Sequence, residues 1–289
     1  MQTVNSIAAL REQIAAWKRE GLTVGFAPTM GNLHAGHISL ITEALKSCDK
    51  AVSSVFVNPL QFGPNEDLEA YPRTLADDQK KLEVAGCDLL FAPPVQEMYP
   101  NGQAAVTTVS VPNLTKHHCG VSRPGHFDGV TTVVTKLLAL VQPDRAYFGK
   151  KDFQQLRVIK QMVADLCLPV EVLGVETSRE TDGLAMSSRN QYLTTEQRAV
   201  ASTLRKTLIN AAEALQQGET VEAVFEQSQQ ALTAVGFKPD YFNISDADTL
   251  EPQQGCYQAG QNWVILASAF LGKARLLDNI ELIATKTQQ

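Results

Sequence analysis

The run PTMGNLHAGHI, Pro28–Ile38, decides the reading of this chain. It follows a strand-like stretch, Leu22–Ala27, and opens an apolar-periodic segment that continues through Leu45. A strand that turns into a helix start presents unpaired backbone N–H groups and the positive end of the helix dipole. Both favour an anionic ligand such as phosphate. His34 and His37 stand three residues apart, so they share one side of the first helical turn. Two imidazoles at such a helix start point to stabilisation of charge at phosphorus.

Outward from this run, apolar strand-like stretches alternate with helical segments up to about Val175. Strands are expected at Thr23–Ala27, Ala51–Val57, Leu89–Ala92, Thr107–Val111, Arg145–Phe148 and Val170–Val175. Helices are expected at Ser6–Glu20, Gly36–Ser47, Leu75–Ala85, Val130–Val141 and Phe153–Leu166. This alternation predicts an α/β fold, a Rossmann-like, mainly parallel sheet with helices on both faces. Ligands of such sheets bind beyond the carboxyl ends of the strands, near a topological switch point. The Pro28–His37, Asn58–Thr74 and Gly149–Asp152 loops all follow strands and are expected to converge on one crevice. A loop at Glu176–Leu193 then leads to two helices, Thr195–Gln217 and Val221–Val235, and a strand-rich tail, Asp240–Ile283. Segregated helices and strands predict a smaller α+β domain. The expected domains are therefore residues 1–176 and 177–289.

The composition bounds the function. The 289 residues are long for one core, and 44% hydrophobic with 19% charged residues is an ordinary globular balance. A net charge of −6 and a pI near 5.4 argue against a broad nucleic-acid or anionic-membrane surface. An anionic ligand must then meet a local basic pocket. Cys48, Cys87, Cys119, Cys167 and Cys256 are odd in number, widely spaced and free of any CxxC, which points to a reducing compartment. The first twenty residues read as an amphipathic helix of mixed charge and not as a signal sequence, and no apolar run is long enough to span a bilayer. A cytoplasmic protein without nucleic-acid or membrane partners is expected.

Neither a GxxxxGK[ST] P-loop nor a GxGxxG dinucleotide fingerprint is present. HxxH also supplies two zinc ligands, but further ligands at zinc-like spacing require His117, His118 and Cys119 to fold alongside. A more specific signal comes from longer runs. HAGH resembles the HIGH signature shared by nucleotidylyltransferases and class I aminoacyl-tRNA synthetases, and MSSRN, Met186–Asn190, resembles its KMSKS counterpart. Together with FVNPLQFGPNEDLEAYPRT, SRPGHFDGV, YFGKKDFQQL and DGLAMSSRNQYL, these runs resemble the pantoate–β-alanine ligase family, in that family's order, from residue 28 to residue 193. The tail after Leu193 is similar to the family's small C-terminal domain in length and pattern only.

The resemblance implies a reaction and a site. Pantoate would be adenylated by ATP with release of pyrophosphate, and β-alanine would displace AMP to give pantothenate. His37 and His34 would act catalytically at the phosphates, His37 being the family's proton donor, together with Lys151 and Arg189. ATP would be lined by Met30, Gly31, Asn32, Leu33, His34, Ala35, Gly36 and His37. It would also meet Gly149, Lys150, Lys151 and Asp152, then Ser178, and finally Met186, Ser187, Ser188 and Arg189. Ser178 stands where the family usually has an aliphatic residue, which leaves a backbone contact there. Gln61 and Gln155 would hold pantoate, and Gln61 β-alanine as well, since an amide offers both a donor and an acceptor. Asn58 and Tyr71 would shape that pocket. Arg123 and His126 read equally as a pair near the β-alanine and phosphate end and as a turn-stabilising pair around Pro124. Magnesium would accompany ATP, with Asp77 and Asp78 as its carboxylates; acidic residues early in a helix also offset its dipole. A homodimer is the family expectation. Three other readings stay open: another HxGH nucleotidylyltransferase, an RNA-binding relative of a tRNA synthetase, and a zinc hydrolase.

Overall fold

The computed structural model describes residues 1–64, 66 and 68–282. In chain order its strands and α-helices are β1 Gln2–Val4, α1 Ile7–Arg19, β2 Val24–Thr29, α2 Ala35–Ser47, β3 Lys50–Val55, α3 Leu75–Val84, β4 Leu89–Phe91, α4 Val95–Met98, α5 Cys119–Ser122, α6 His126–Val141, β5 Arg145–Gly149, α7 Phe153–Asp165 and β6 Glu171–Val175. There follow α8 Thr195–Val200, α9 Thr203–Gln216, α10 Val221–Ala234, β7 Lys238–Asp246, β8 Trp263–Leu271 and β9 Ala274–Leu282.

Among the described residues β1 to β6 form one sheet in the order β1-β4-β3-β2-β5-β6, with every pair parallel. The fold is the expected α/β class. Val24, Phe26 and Ala27 of β2 are wholly buried in succession, as a strand covered on both faces requires. Ala27, Ala51, Leu90 and Tyr147 share one core cluster with Leu40, Ile41 and Ala44 of α2 and Leu82 of α3. The approach of α2 is close. A Cβ added at Gly25 would stand 2.9 Å from the Ala44 Cβ, so only glycine lets α2 lie this near β2. From β2 the chain steps to β3 and β4 on one side, then returns to add β5 on the other. The switch point therefore lies at the carboxyl ends of β2 and β5.

Three sequence expectations are corrected. Thr107–Val111 is not a strand. Its period-2 pattern finds no sheet neighbour among the described residues, and threonines of α6 take the ladder's place: Val109 N–H donates to Thr132 Oγ1 at 3.0 Å, and Thr131 Oγ1 lies 2.5 Å from the Val109 carbonyl. Helix α6 begins at His126 and not at Val130, four residues earlier than its unbroken apolar stretch reveals. The single helix expected over Thr195–Gln217 is two helices, broken at Ala201–Ser202. The strand β1 was too short to read from its pattern.

The contacts of the chain divide it into two compact units. The first holds residues 1–115, 123–150 and 155–176; the second holds 116–122, 151–154 and the chain from 177 onward. The second unit is built on the antiparallel sheet β7-β8-β9, whose buried Phe242, Ile244, Ile265, Ala267 and Leu276 pack with Leu208 and Leu215 of α9 and Val224 of α10. No helix among the described residues is long and apolar enough to cross a membrane.

The segment 116–122 places His118 in the interior of the second unit. The Asn243 amide donates to its Nδ1 at 2.8 Å, and its Nε2 lies 3.2 Å from the Leu250 carbonyl, so Nε2 carries the proton. Burial pushes the His118 pKa down to about 4. An unfolded histidine titrates near 6.5, so the unfolded state takes up the proton first as the pH falls. The stability held by neutral His118 is therefore full above pH 6.5 and is lost toward pH 4, by roughly 3 kcal/mol. In urea unfolding, wild type should lose about that much relative to His118→Asn between pH 7 and pH 4; a difference that does not change with pH would contradict it.

Candidate active site

In the first unit the loop from β2 into α2 is organised from its own side chains. His34 caps α2 with Nδ1 accepting the Gly36 N–H at 3.1 Å, and His37 Nδ1 accepts the His34 N–H at 3.3 Å. The rings lie 4.1 Å apart, centroid to centroid. A backbone N–H can only donate, so each Nδ1 is an acceptor and each neutral ring carries its proton on Nε2. Several other main-chain donors of the loop are engaged as well. Gly31 N–H reaches Thr29 Oγ1, Asn32 and Leu33 N–H reach the Asp78 carboxylate, and His37 N–H reaches the His34 carbonyl. Each imidazole thus brings an Nε2–H to the start of α2, beside the backbone on which a P-loop relies.

Gln61 lies 8% exposed in the loop after β3, whose carboxyl end neighbours that of β2. Its Nε2 lies 2.8 Å from the Met30 sulfur, and its Oε1 accepts from Asn58 Nδ2 at 3.2 Å. The first expected acid-binding residue and the first expected ATP-binding residue are therefore in direct contact. Arg123 and His126 hold the Gln61 main chain. Arg123 grips Glu66 through two 2.6 Å hydrogen bonds and donates to His126 Nε2 at 2.8 Å. His126 Nδ1 then donates to the Gln61 carbonyl at 2.8 Å. Guanidinium only donates and carbonyl only accepts, so the chain has one polarity. Burial pushes the Glu66 carboxyl up, but the hydrogen bonds and charge of Arg123 outweigh this and hold it below its usual range. Arg123 and His126 thus support the loop that carries Gln61.

Other expected residues of this unit are less converged. Gly149 ends β5, and Lys150 pairs with Glu176. Gln155 sits half-buried in the first turn of α7. Tyr71 is buried, edge-on to Phe62. Asp77 is exposed, 3.8 Å from Lys80. Asp78 is fully buried, with its oxygens accepting from Asn32, Leu33 and Thr74. Neither is arranged as a magnesium ligand, and among the described residues no group of three His, Cys, Asp or Glu is suited to a metal. His117 faces Glu251, and His118 is engaged on both ring nitrogens.

In the second unit, Ser178 and Met186 are brought together. The Met186 N–H donates to the Ser178 carbonyl at 2.9 Å, across a tight hairpin bridged at Arg179 and Ala185. Arg179 clamps that hairpin to the buried Asp278 of β9 with bonds of 2.6 and 3.0 Å. Ser187 caps the short turn Ser188–Tyr192 by accepting the Arg189 N–H at 3.2 Å, and Asn190 bonds the Ala185 carbonyl. Lys151 lies 3.8 Å from Asp152, and its carbonyl accepts from Asn279.

Known proteins resemble this chain along nearly its whole length. The pantoate–β-alanine ligase family model matches residues 2–281. Pantothenate synthetases of Shewanella loihica and Pseudomonas fluorescens are 55% and 54% identical over 280 and 283 residues, covering 97% and 98% of this chain and 98% of each relative. The crystal structure of the pantothenate synthetase of Thermus thermophilus superposes with a TM-score of 0.90 at 49% identity, covering 98% of this chain and 100% of that one. The pantoate–β-alanine ligase of Francisella tularensis, solved with a β,γ-ATP compound and β-alanine, gives 0.80 at 31%, with 97% of each chain covered. The chain belongs to the pantoate–β-alanine ligase family.

As a ligase of this family, the protein carries site-shaping residues that sequence reading overlooked. Tyr99, 2% exposed, donates from its hydroxyl to Asn58 Oδ1 at 2.8 Å and so supports the amide that holds Gln61. Burial pushes its phenol to about 12. Nothing in the sequence around Tyr99 signals this, because its partner lies 41 residues away. Thr29 and Thr74 are likewise local supports, inside quoted runs but assigned no role from sequence. Tyr99→Phe is expected to lower stability by roughly 1–3 kcal/mol by leaving a buried acceptor short of a donor. Urea unfolding checks this; an unchanged midpoint would show that the hydroxyl contributes nothing.

Proposed function

We propose that this ligase joins pantoate to β-alanine in two steps. The pantoate carboxylate attacks the α-phosphorus of ATP, forming a C–O–P mixed anhydride as the α–β phosphoanhydride bond breaks and pyrophosphate leaves. The β-alanine amine then attacks the activated carbonyl, a C–N bond forms, the C–O bond to AMP breaks, and the amine gives up a proton. The observation that carries this reading is the Gln61–Met30 contact, which sets an acid-recognising amide against the loop that bears both imidazoles.

Each group has a physical task. The Gln61 Nε2–H rests against a thioether, a weak acceptor, and gains by turning to a hydroxyl or carboxylate oxygen of pantoate. Gln155 would be the second pantoate ligand, and Gln61 would also meet β-alanine. His34 and His37, held by their caps with Nε2–H as donor, would bond the oxygens that gain charge at phosphorus. Lys151 and Arg189 would supply the cationic partners for phosphate oxygens, Arg189 with a planar fork. The Ser178–Met186 hairpin and the Ser187–Arg189 turn would line the nucleotide. The protein's contribution is positioning and charge stabilisation. Magnesium would arrive with ATP, bound by the phosphates; since Asp77 and Asp78 do not fit as its ligands, no step is routed through it. The acidic balance and widely spaced cysteines support a cytoplasmic enzyme, and the family resemblance supports a homodimer, which light scattering tests.

AMP and pyrophosphate release from ATP–magnesium should depend on pantoate, with pantothenate appearing once β-alanine is added. Release without pantoate, or a dinucleotide product, would instead favour another nucleotidylyltransferase. His37→Asn keeps an acceptor at the Nδ1 position but removes Nε2–H, so kcat should fall about 10²–10³-fold with folding intact; near-wild-type turnover would remove His37 from catalysis. Gln61→Ala should weaken pantoate binding while leaving ATP binding nearly unchanged; equal losses in calorimetric titration would contradict its assignment.

A further inference from the structure

Gly31 and Asn32 both adopt left-handed backbone conformations, with φ of +83° and +50°. For a residue other than glycine this costs on the order of 1 kcal/mol and persists only where the surroundings over-determine it. The surroundings that hold this turn are a buried carboxylate and a lysine of α3. Asp78 Oδ2 accepts the Asn32 N–H at 2.9 Å, and Oδ1 accepts the Leu33 N–H at 2.8 Å, the carboxylate being wholly buried. One turn further along α3, Lys81 Nζ donates to the Leu33 carbonyl at 2.7 Å. The fit at Gly31 is tight, since a Cβ there would stand 3.1 Å from Asp78 Oδ2 and 3.0 Å from Val55 Cγ1.

We propose that Asp78 and Lys81 are positioning residues that clamp the peptide on either side of Leu33 and thereby set where His34 and His37 begin the helix. The inference rests on the nucleotide-binding reading of that loop. It assigns Asp78 a role incompatible with magnesium ligation, because its oxygens are spent on main-chain and Thr74 donors. A clamp acts through geometry: misplacing the imidazoles by a fraction of an ångström weakens ATP and slows adenylation together.

The test compares full-length wild type with Asp78→Asn, Lys81→Met and Lys81→Arg. Asparagine offers one acceptor where two N–H groups need one each, so NMR-detected amide exchange at Asn32 or Leu33 should quicken at least 10-fold. KM for ATP should rise at least 10-fold, while the magnesium concentration for half-maximal rate stays within twofold. Lys81→Met should reproduce the exchange effect more weakly, and Lys81→Arg should restore it. Should Asp78→Asn not fold, the Lys81 pair carries the test. Wild-type exchange at both amides overturns the proposal, as does a variant whose main change is a raised magnesium requirement. Amide exchange needs no turnover, so a wild type that releases no AMP from pantoate and ATP would sink the functional reading and leave the clamp to be judged separately.

Discussion

The first amides of a helix must find acceptors, and in this ligase the acceptors at the start of α2 are imidazole nitrogens. That single solution settles several things at once. It ends the turn from β2, holds His34 and His37 ring to ring, and selects the tautomer with the proton on Nε2. Glycine-rich phosphate loops put their backbone to work on the ligand. Here the amides of Gly31, Asn32, Leu33 and Gly36 are bonded within the protein, and two imidazoles stand beside them.

Around that cap the first unit arranges supports of increasing range. Thr29 and His34 act within the loop, Asp78 and Lys81 from α3, and Gln61 through the Met30 sulfur. Gln61 in turn is held by Asn58, whose own oxygen takes the Tyr99 hydroxyl, and by the Glu66–Arg123–His126 chain at its carbonyl. Nearly every polar group in this network has a partner of fixed polarity. A network so satisfied has one low-energy arrangement, which is what a site that works by positioning needs.

Much of this was legible in the sequence, for physical reasons. Covered parallel strands read as apolar runs, and amphipathic helices read by their period, so the sheet and its carboxyl-end loops could be located. The family motifs then led to the reaction class. What escaped were features made by distance in sequence. Asp78 looks like an acid offsetting a helix dipole or holding a cation, and only folding shows that its partners are amides about 45 residues upstream. Thr107–Val111 has the alternation of a strand but is tied down by α6 hydroxyls. His126, Asp128 and Gly129, around the single apolar Phe127, mask the first turn of α6.

The division of the chain carries a consequence for how it is made. Residues 116–122 and 151–154 belong with the chain beyond 177, so the polypeptide passes between its two compact units at five points. A ribosome that has released the first 176 residues has delivered all six parallel strands, yet it has also delivered two segments whose packing partners are still untranslated. His118 waits in one of them for Asn243 and Leu250. The first unit is thus born holding unfinished business, and a gene cut at the apparent boundary would leave both halves with orphaned pieces.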